Sequence, residues 1–204
     1  MKYQSKVQLS SFEMELINNT EWILTKNGII EKVKQFLVAL QEEQNEYLYS
    51  LSNRFPKEVL KTPAKISKGE NYKGLPYLIL DFPRCFDQEN IFAIRTMFWW
   101  GNFFSITLQL AGNYKIMFEK KIISAYEILK QNGFFVCVHE KQWEHHFENN
   151  NYVLINNYKK DDFADMIKAN SFIKLADKTS LQKWDDAQEI LQQQFKLLID
   201  IIIL

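Results

Sequence analysis

The chain has 204 residues, with 25 Lys and Arg against 25 Asp and Glu, 47% hydrophobic and 15% aromatic residues, and only six Gly and four Pro. A chain of this length buries a sizeable core without help from disulfides or metals, and its composition excludes a disordered or low-complexity polymer. Zero net charge argues against a general nucleic-acid binder or a polybasic membrane-surface protein.

Residues 1–25 lack a basic start followed by an apolar segment and a small-residue cleavage site, so no secretory signal is expected. No apolar run approaches the roughly 18 residues of a membrane span. Cys85 and Cys137 lie in unrelated segments and form no disulfide framework, which predicts a reducing, cytoplasmic setting. The only arginines are Arg54, Arg84 and Arg95. So strong a lysine bias reads as codon usage of an AT-rich, bacterial genome, and suggests that these three sit where a planar fork is needed.

In chain order, Ser10 with Glu13 forms a capping-box pattern that opens a short helix through Ile17. Asn18, Asn19 and Thr20 interrupt it, and Glu21 to Thr25 make another turn. Ile29, Ile30, Val33, Leu37, Leu40, Gln44, Tyr47, Leu48 and Leu51 then follow helical spacing. This predicts a helix of about 22 residues, roughly 33 Å long, ended by Asn53 to Pro56. Residues 56–76, with Pro56, Pro63 and Pro76, read as one long loop.

The middle third reads as β. Tyr77 to Phe82 is a strand stopped by Pro83, and Ile91 to Trp100 and Phe103 to Leu110 flank Gly101-Asn102, read as a two-residue turn. Asn113 caps a helix through Gln131, closed by Asn132-Gly133. Phe134 to His139 is a further strand. Residues 140–158 read as a polar excursion with a hairpin turning at Asn149 to Asn151. A short helix from Asp161 or Asp162 to Ala169, a strand over Phe172 to Ala176 and a helix capped by Asp185 complete the chain. The fold class is α+β: an antiparallel sheet with a meander (77–110) packed by N-terminal, central and C-terminal helices. One domain over 1–204 is expected, with a helical part (1–55), a sheet and central helix (77–139) and a C-terminal helix (184–204).

A two-residue turn at Gly101-Asn102 pairs Trp100 with Phe103 and Phe98 with Ser105. Alternation then places Trp100, Phe98, Thr96, Ile94 and Phe92 on one face with Phe103, Ser105, Thr107 and Gln109. That mixed face has the composition of a pocket wall, with Trp100, Phe98, Phe103 and Thr96 as the lining and Arg84, Asp81 and Tyr77 at the rim. Helices covering both faces would make the same residues core. Arg95 falls on the other face among Trp99, Met97 and Leu108, where it needs a partner. Asp81 and Glu119 are the candidates, unless the side chain reaches water or grips a carboxylate or phosphate of a ligand.

Cys137, His139, Glu140, Glu144, His145, His146 and Glu148 crowd together, but without the spacing of a zinc site. A solvated polar loop is the expectation, with no metal and no cofactor. No nucleophile motif or glycine-rich phosphate loop occurs, and Cys137 reads as a buried thiol. Lys57, Lys61, Lys65, Lys68 and Lys73, with Tyr72 and Tyr77, form one basic stretch that suits a solvated loop or an acidic partner. Leu197 to Leu204 is apolar nearly all round apart from Asp200, which predicts burial on two sides, by the N-terminal helices or by a second copy in a homodimer.

Lys65 to Tyr77, Leu80 to Arg84 and Phe98 to Phe104 together resemble a conserved bacterial family of unknown function, which implies no activity and no site. The order of elements loosely resembles the amino-group acetyltransferase fold, whose pyrophosphate loop would fall at Gln109 to Lys115. That stretch has one glycine, Gly112, where the family pattern wants at least two. The expected function is a non-catalytic domain that binds a small molecule or a protein partner. An acyltransferase-like enzyme with a pocket beside the aromatic hairpin is the alternative.

Overall fold

The computed structural model describes residues 7–203. The beginning of the 1–25 segment and Leu204 lie outside them. The described residues form an α+β fold: α1 (Ser11–Asn18), α2 (Thr20–Ser50), α3 (Lys57–Lys61), β1 (Lys65–Tyr72), β2 (Leu75–Phe86), β3 (Ile91–Trp99), β4 (Phe103–Ala111), α4 (Asn113–Ser124), α5 (Tyr126–Gln131), β5 (Phe135–Cys137), β6 (Tyr152–Leu154), α6 (Lys160–Ala169), β7 (Phe172–Ser180) and α7 (Ala187–Ile203). The seven strands make one antiparallel sheet in the order β1-β2-β3-β4-β7-β5-β6. Among the described residues no helix is long and apolar enough to cross a membrane.

The Ser10 capping box forms as expected, with the Ser10 side chain and Glu13 satisfying each other's backbone N–H. The helix after it is longer than the sequence suggested. Asn19 caps it through Trp22 N–H, and α2 then runs unbroken for 31 residues. Ile30, Val33, Leu37, Leu40, Gln44 and Leu48 are its buried stripe. Lys65 to Tyr72, read as loop, is a strand. Its lysines and Gly69 hide it from pattern reading, and they suit a strand at the edge of a sheet.

β2 also continues past Pro83 instead of stopping there. The cis Phe82-Pro83 bond falls where the register with β3 shifts, between Asp81 and Arg84. The last pair with β1 is Lys65 with Asp81, so Pro83 has no neighbour on that side and its missing N–H breaks no ladder bond. β5 is shorter than expected and β7 longer, reaching Ser180 through a full ladder with β4. Gly112 rather than Asn113 stands at the N-cap of α4, α6 begins at Lys160, and α7 begins at Ala187, two residues beyond Asp185.

The hairpin register corrects the expected faces. Trp99 pairs with Phe103 and Phe98 with Phe104, so the connection is the three residues Trp100, Gly101 and Asn102. Asn102 N–H donates to the Trp99 carbonyl, and Gly101 sits at φ 70° in the third position of that turn, where the left-handed region favours glycine. A one-residue slip exchanges every β4 side chain between faces. Phe92, Ile94, Thr96 and Phe98 therefore share a face with Phe104, Ile106, Leu108 and Leu110, and Arg95, Met97 and Trp99 share the other with Phe103, Ser105, Thr107 and Gln109.

The first face is the main core. It is closed by α2, α3, α4 and α7 with Leu78, Leu80, Ile173 and Leu175 from the flanking strands. Leu198, Ile199, Ile201 and Ile202 of α7 are buried within the chain, so its apolar sequence is used against its own sheet and helices. The second face is covered by residues 138–151, a coil that joins β5 to β6 and turns at Glu148 to Asn151.

Candidate functional site

Where the β3–β4 turn leaves the ladder, Trp100 N–H donates to the Pro76 carbonyl, which holds the indole beyond the sheet's end. The N-terminal part of α2 passes over it and contributes Trp22, Lys26 and Ile29. The result is a wall of Trp22, Lys26 and Trp100 shared by two clefts. One, of about 320 Å³, is closed by Asn19, Glu21, Thr25 and Ile29. The other, of about 280 Å³, is closed by Glu70, Gly74, Leu75 and Pro76. Trp22 is 53% exposed, and Trp100 is half-buried against the core.

The electrostatics of this wall centre on Glu70. Its carboxylate accepts from Lys26 Nζ at 2.9 Å and lies 2.6 Å from Lys68 Nζ. The hydrogen bonds from Lys68 and then Lys26 hold its pKa below the ordinary carboxylate value. Lys26 belongs to α2 and Lys68 to β1, so the pair ties the helix to the sheet edge. Among the described residues β1 is bonded to β2 alone and forms one end of the sheet order. The clefts thus adjoin an open strand edge. Indole faces, a lysine and open backbone groups can bind a ligand.

The residues expected to line one pocket are not together. Trp100 alone lines the clefts. Phe98 and Thr96 are buried on the helix-covered face. Phe103 is on the opposite face, edge-on to Trp99 and Phe147, with Lys178 Nζ 5.9 Å from its ring centre. Tyr77 packs edge-on against Tyr72 and lies so close under Gly69 that a Cβ there would stand 2.3 Å from its ring. Arg84, toward the far end of β2, donates from Nε to the Pro63 carbonyl at 2.8 Å.

Asp81 and Arg95 do meet, as one of the two pairings considered for Arg95. They are cross-strand partners, and Nε and Nη2 of Arg95 donate to Oδ1 and Oδ2 of Asp81 at 2.7 and 3.0 Å. Glu119, the other candidate, is bonded to Lys115 instead. The pair anchors a polar layer beneath residues 138–151. Arg95 Nη1 lies 3.2 Å from His145 Nε2, so that nitrogen accepts and the ring is neutral. The Tyr72 hydroxyl accepts from the backbone N–H groups of His145 and His146 and donates to Glu144. Lys174 Nζ, on a residue only 1% exposed, donates to the Glu144 carbonyl at 2.6 Å, and Gln109 is bonded to Gln142.

Burial drives the titration behaviour of this layer. It lowers Lys174 to about 8, with Arg95 adding to the effect. It holds His145 well below its ordinary value, reinforced by Lys174 and Arg95. It raises the Cys137 thiol and, further, the Tyr152 phenol. Perturbed groups of this kind can mark catalysis, but here they are sealed and mostly satisfied by the covering segment. The sequence reading missed this layer because its partners come from β1, β2, β3, β4, β7 and a coil. The one available signal was polar residues at alternate positions, Arg95 in β3 and Thr107 and Gln109 in β4. Among the described residues no group of three His, Cys, Asp or Glu side chains is placed to hold a metal ion.

Gly112 has a local reason. At φ 58°, a Cβ would lie 2.4 Å from Asn90 Oδ1 and 2.5 Å from the Glu89 carbonyl oxygen, and Asn90 Oδ1 accepts the Asn113 N–H at 2.7 Å. That amide of α4 is therefore already engaged by a side chain. No protein family model, curated protein or solved structure matches the chain.

Proposed function

We propose that this chain is a non-catalytic binding domain that takes an extended, acidic segment of a protein partner along β1, with apolar side chains seated against Trp22 and Trp100. The observation that carries the reading is the wall of Trp22, Lys26 and Trp100, shared by two clefts beside an open strand edge. A peptide strand added to such an edge gains main-chain hydrogen bonds, and flanking pockets select its side chains. Indoles supply large apolar area and an N–H at the rim. Lys65 and Lys68 on β1 and Lys26 on the wall, against Glu70 and Glu21, leave this edge a modest basic bias, which favours carboxylates on the partner. Two free thiols, Cys85 and Cys137, suit a cytoplasmic setting.

Selection of a random peptide library on the intact protein tests this reading. The expected result is an acidic consensus with aromatic or aliphatic anchors, whose binding is lost in Trp100→Ala and weakened by salt. Failure to enrich any sequence, or a consensus indifferent to both Trp22→Ala and Trp100→Ala, would overturn it. Thermal unfolding with acetyl-coenzyme A addresses the acyltransferase alternative. No shift is expected, and a rise of several degrees would favour the enzyme.

A further inference from the structure

Among the described residues α1 is a capped helix with little beneath it, only Leu16 being partly covered. It buries none of its residues, and Phe12, Met14 and Ile17 are 66%, 48% and 63% exposed. A helix of eight residues is marginal in water on its own, so apolar positions such as Phe12 and Leu16, one turn apart on a single stripe, call for a surface to pack on.

The described residues also leave an apolar groove open. It lies between α4, α5 and α7, with a volume of about 490 Å³, walls of Ala125, Ile128, Leu197 and Ile201, and Lys120 and Lys121 on its rim. Exposed Ile116 and Met117 extend it along α4. We infer that this groove is the docking site for α1 of a second copy of the chain, exchanged reciprocally so that two copies close a dimer about a two-fold axis.

Charge, length and reach point to that occupant. Within Ser11–Asn18 the charged residues are Glu13 and Glu15, both acidic, whereas the groove carries two lysines, Lys120 and Lys121, against one acid, Asp200, which Tyr47 already engages. The row Lys120, Ser124, Ile128 rises about 12 Å along its helices, the length of an eight-residue helix. The chain's own α1 cannot occupy the groove. Tyr47 of α2 donates to Asp200 on the groove's edge, and α2 from Trp22 to Tyr47 is about 37 Å long, three times the length of α1. Reciprocal exchange satisfies both unpartnered surfaces at once, whereas a one-way contact would propagate into chains.

Light scattering on the full chain tests the inference, with circular dichroism and melting as controls. Wild type should be a dimer at high micromolar concentration. Phe12→Ser with Leu16→Ser should be a monomer with the circular dichroism and melting temperature of wild type diluted to its monomer, because no α1 residue is fully buried in its own chain. Lys120→Glu should weaken the dimer, and adding Glu15→Lys to it should restore it. A wild-type monomer at that concentration would overturn the inference, including one that instead binds phosphatidylcholine vesicles through Phe12. A dimer that persists in Phe12→Ser with Leu16→Ser would also overturn it, because its interface would lie elsewhere.

Discussion

Arg95 and Asp81 face each other across β3 and β2, with two guanidinium nitrogens on two carboxylate oxygens and side chains only 12% and 9% exposed. Removing one partner of such a pair leaves a buried charge without compensation. Asp81→Ala should therefore cost about 3–5 kcal/mol in urea unfolding, whereas Asp81→Leu combined with Arg95→Met should recover most of that loss. A double variant as unstable as the single one would mean that Arg95 acts mainly through His145.

The neutral His145 ring makes stability depend on acid. Its folded-state pKa lies well below 6.5 because of burial, Lys174 and Arg95, so below pH 6.5 the unfolded chain binds a proton that the folded chain refuses. Its share of stability is whole above pH 6.5 and falls as pH drops, with a limiting slope of about 1.4 kcal/mol per pH unit. His146, lowered by burial and Lys73, acts in the same direction. Asp177, raised to about 6 by burial, opposes both below pH 6. His145→Gln keeps an acceptor for Arg95 without a titrating proton, so its stability curve should be flatter than wild type between pH 6.5 and 5. Identical slopes would contradict the buried neutral ring.

Gln44 is fully buried on α2, and neither its amide oxygen nor its nitrogen has a hydrogen-bond partner among the described residues. An unpaired buried amide costs about 1–3 kcal/mol. Gln44→Met, of similar length, should raise the melting temperature, and a fall would show that the amide is satisfied in solution.

The α+β class and most elements were legible in the sequence where one strong period governed, as along α2 and in the strands of the meander. Three features were not. β1 is an edge strand whose lysines and glycine look like loop. Gly101 serves the turn as expected, but that turn encloses Trp100 as well, and this single residue reverses the β4 faces. It separated Phe98 and Thr96 from Phe103, residues that the sequence placed in one pocket. Residues 138–151 have no period because their job is to satisfy polar groups arriving from several strands, which only tertiary proximity reveals. Trp100 was legible as a residue at the hairpin's end; its neighbours Trp22 and Lys26, from a helix some 75 residues earlier, were not.

Trp99 and Trp100, adjacent in sequence, should behave differently. Trp99 is 6% exposed between Tyr72 and Phe103, so Trp99→Ala should cost about 3–5 kcal/mol. Trp100 forms a cleft wall, and Trp100→Ala should cost clearly less in the same urea titration. Equal losses would place Trp100 in the core rather than at a site.

Amide hydrogen exchange of the full chain, with and without an acidic apolar peptide selected on it, tests the binding account most directly. The account predicts new protection in Lys65 to Tyr72, where the peptide adds to the β1 edge, and in Asn19 to Ile29, with both effects absent in Trp100→Ala. Protection confined to other segments, or unchanged in Trp100→Ala, would contradict it.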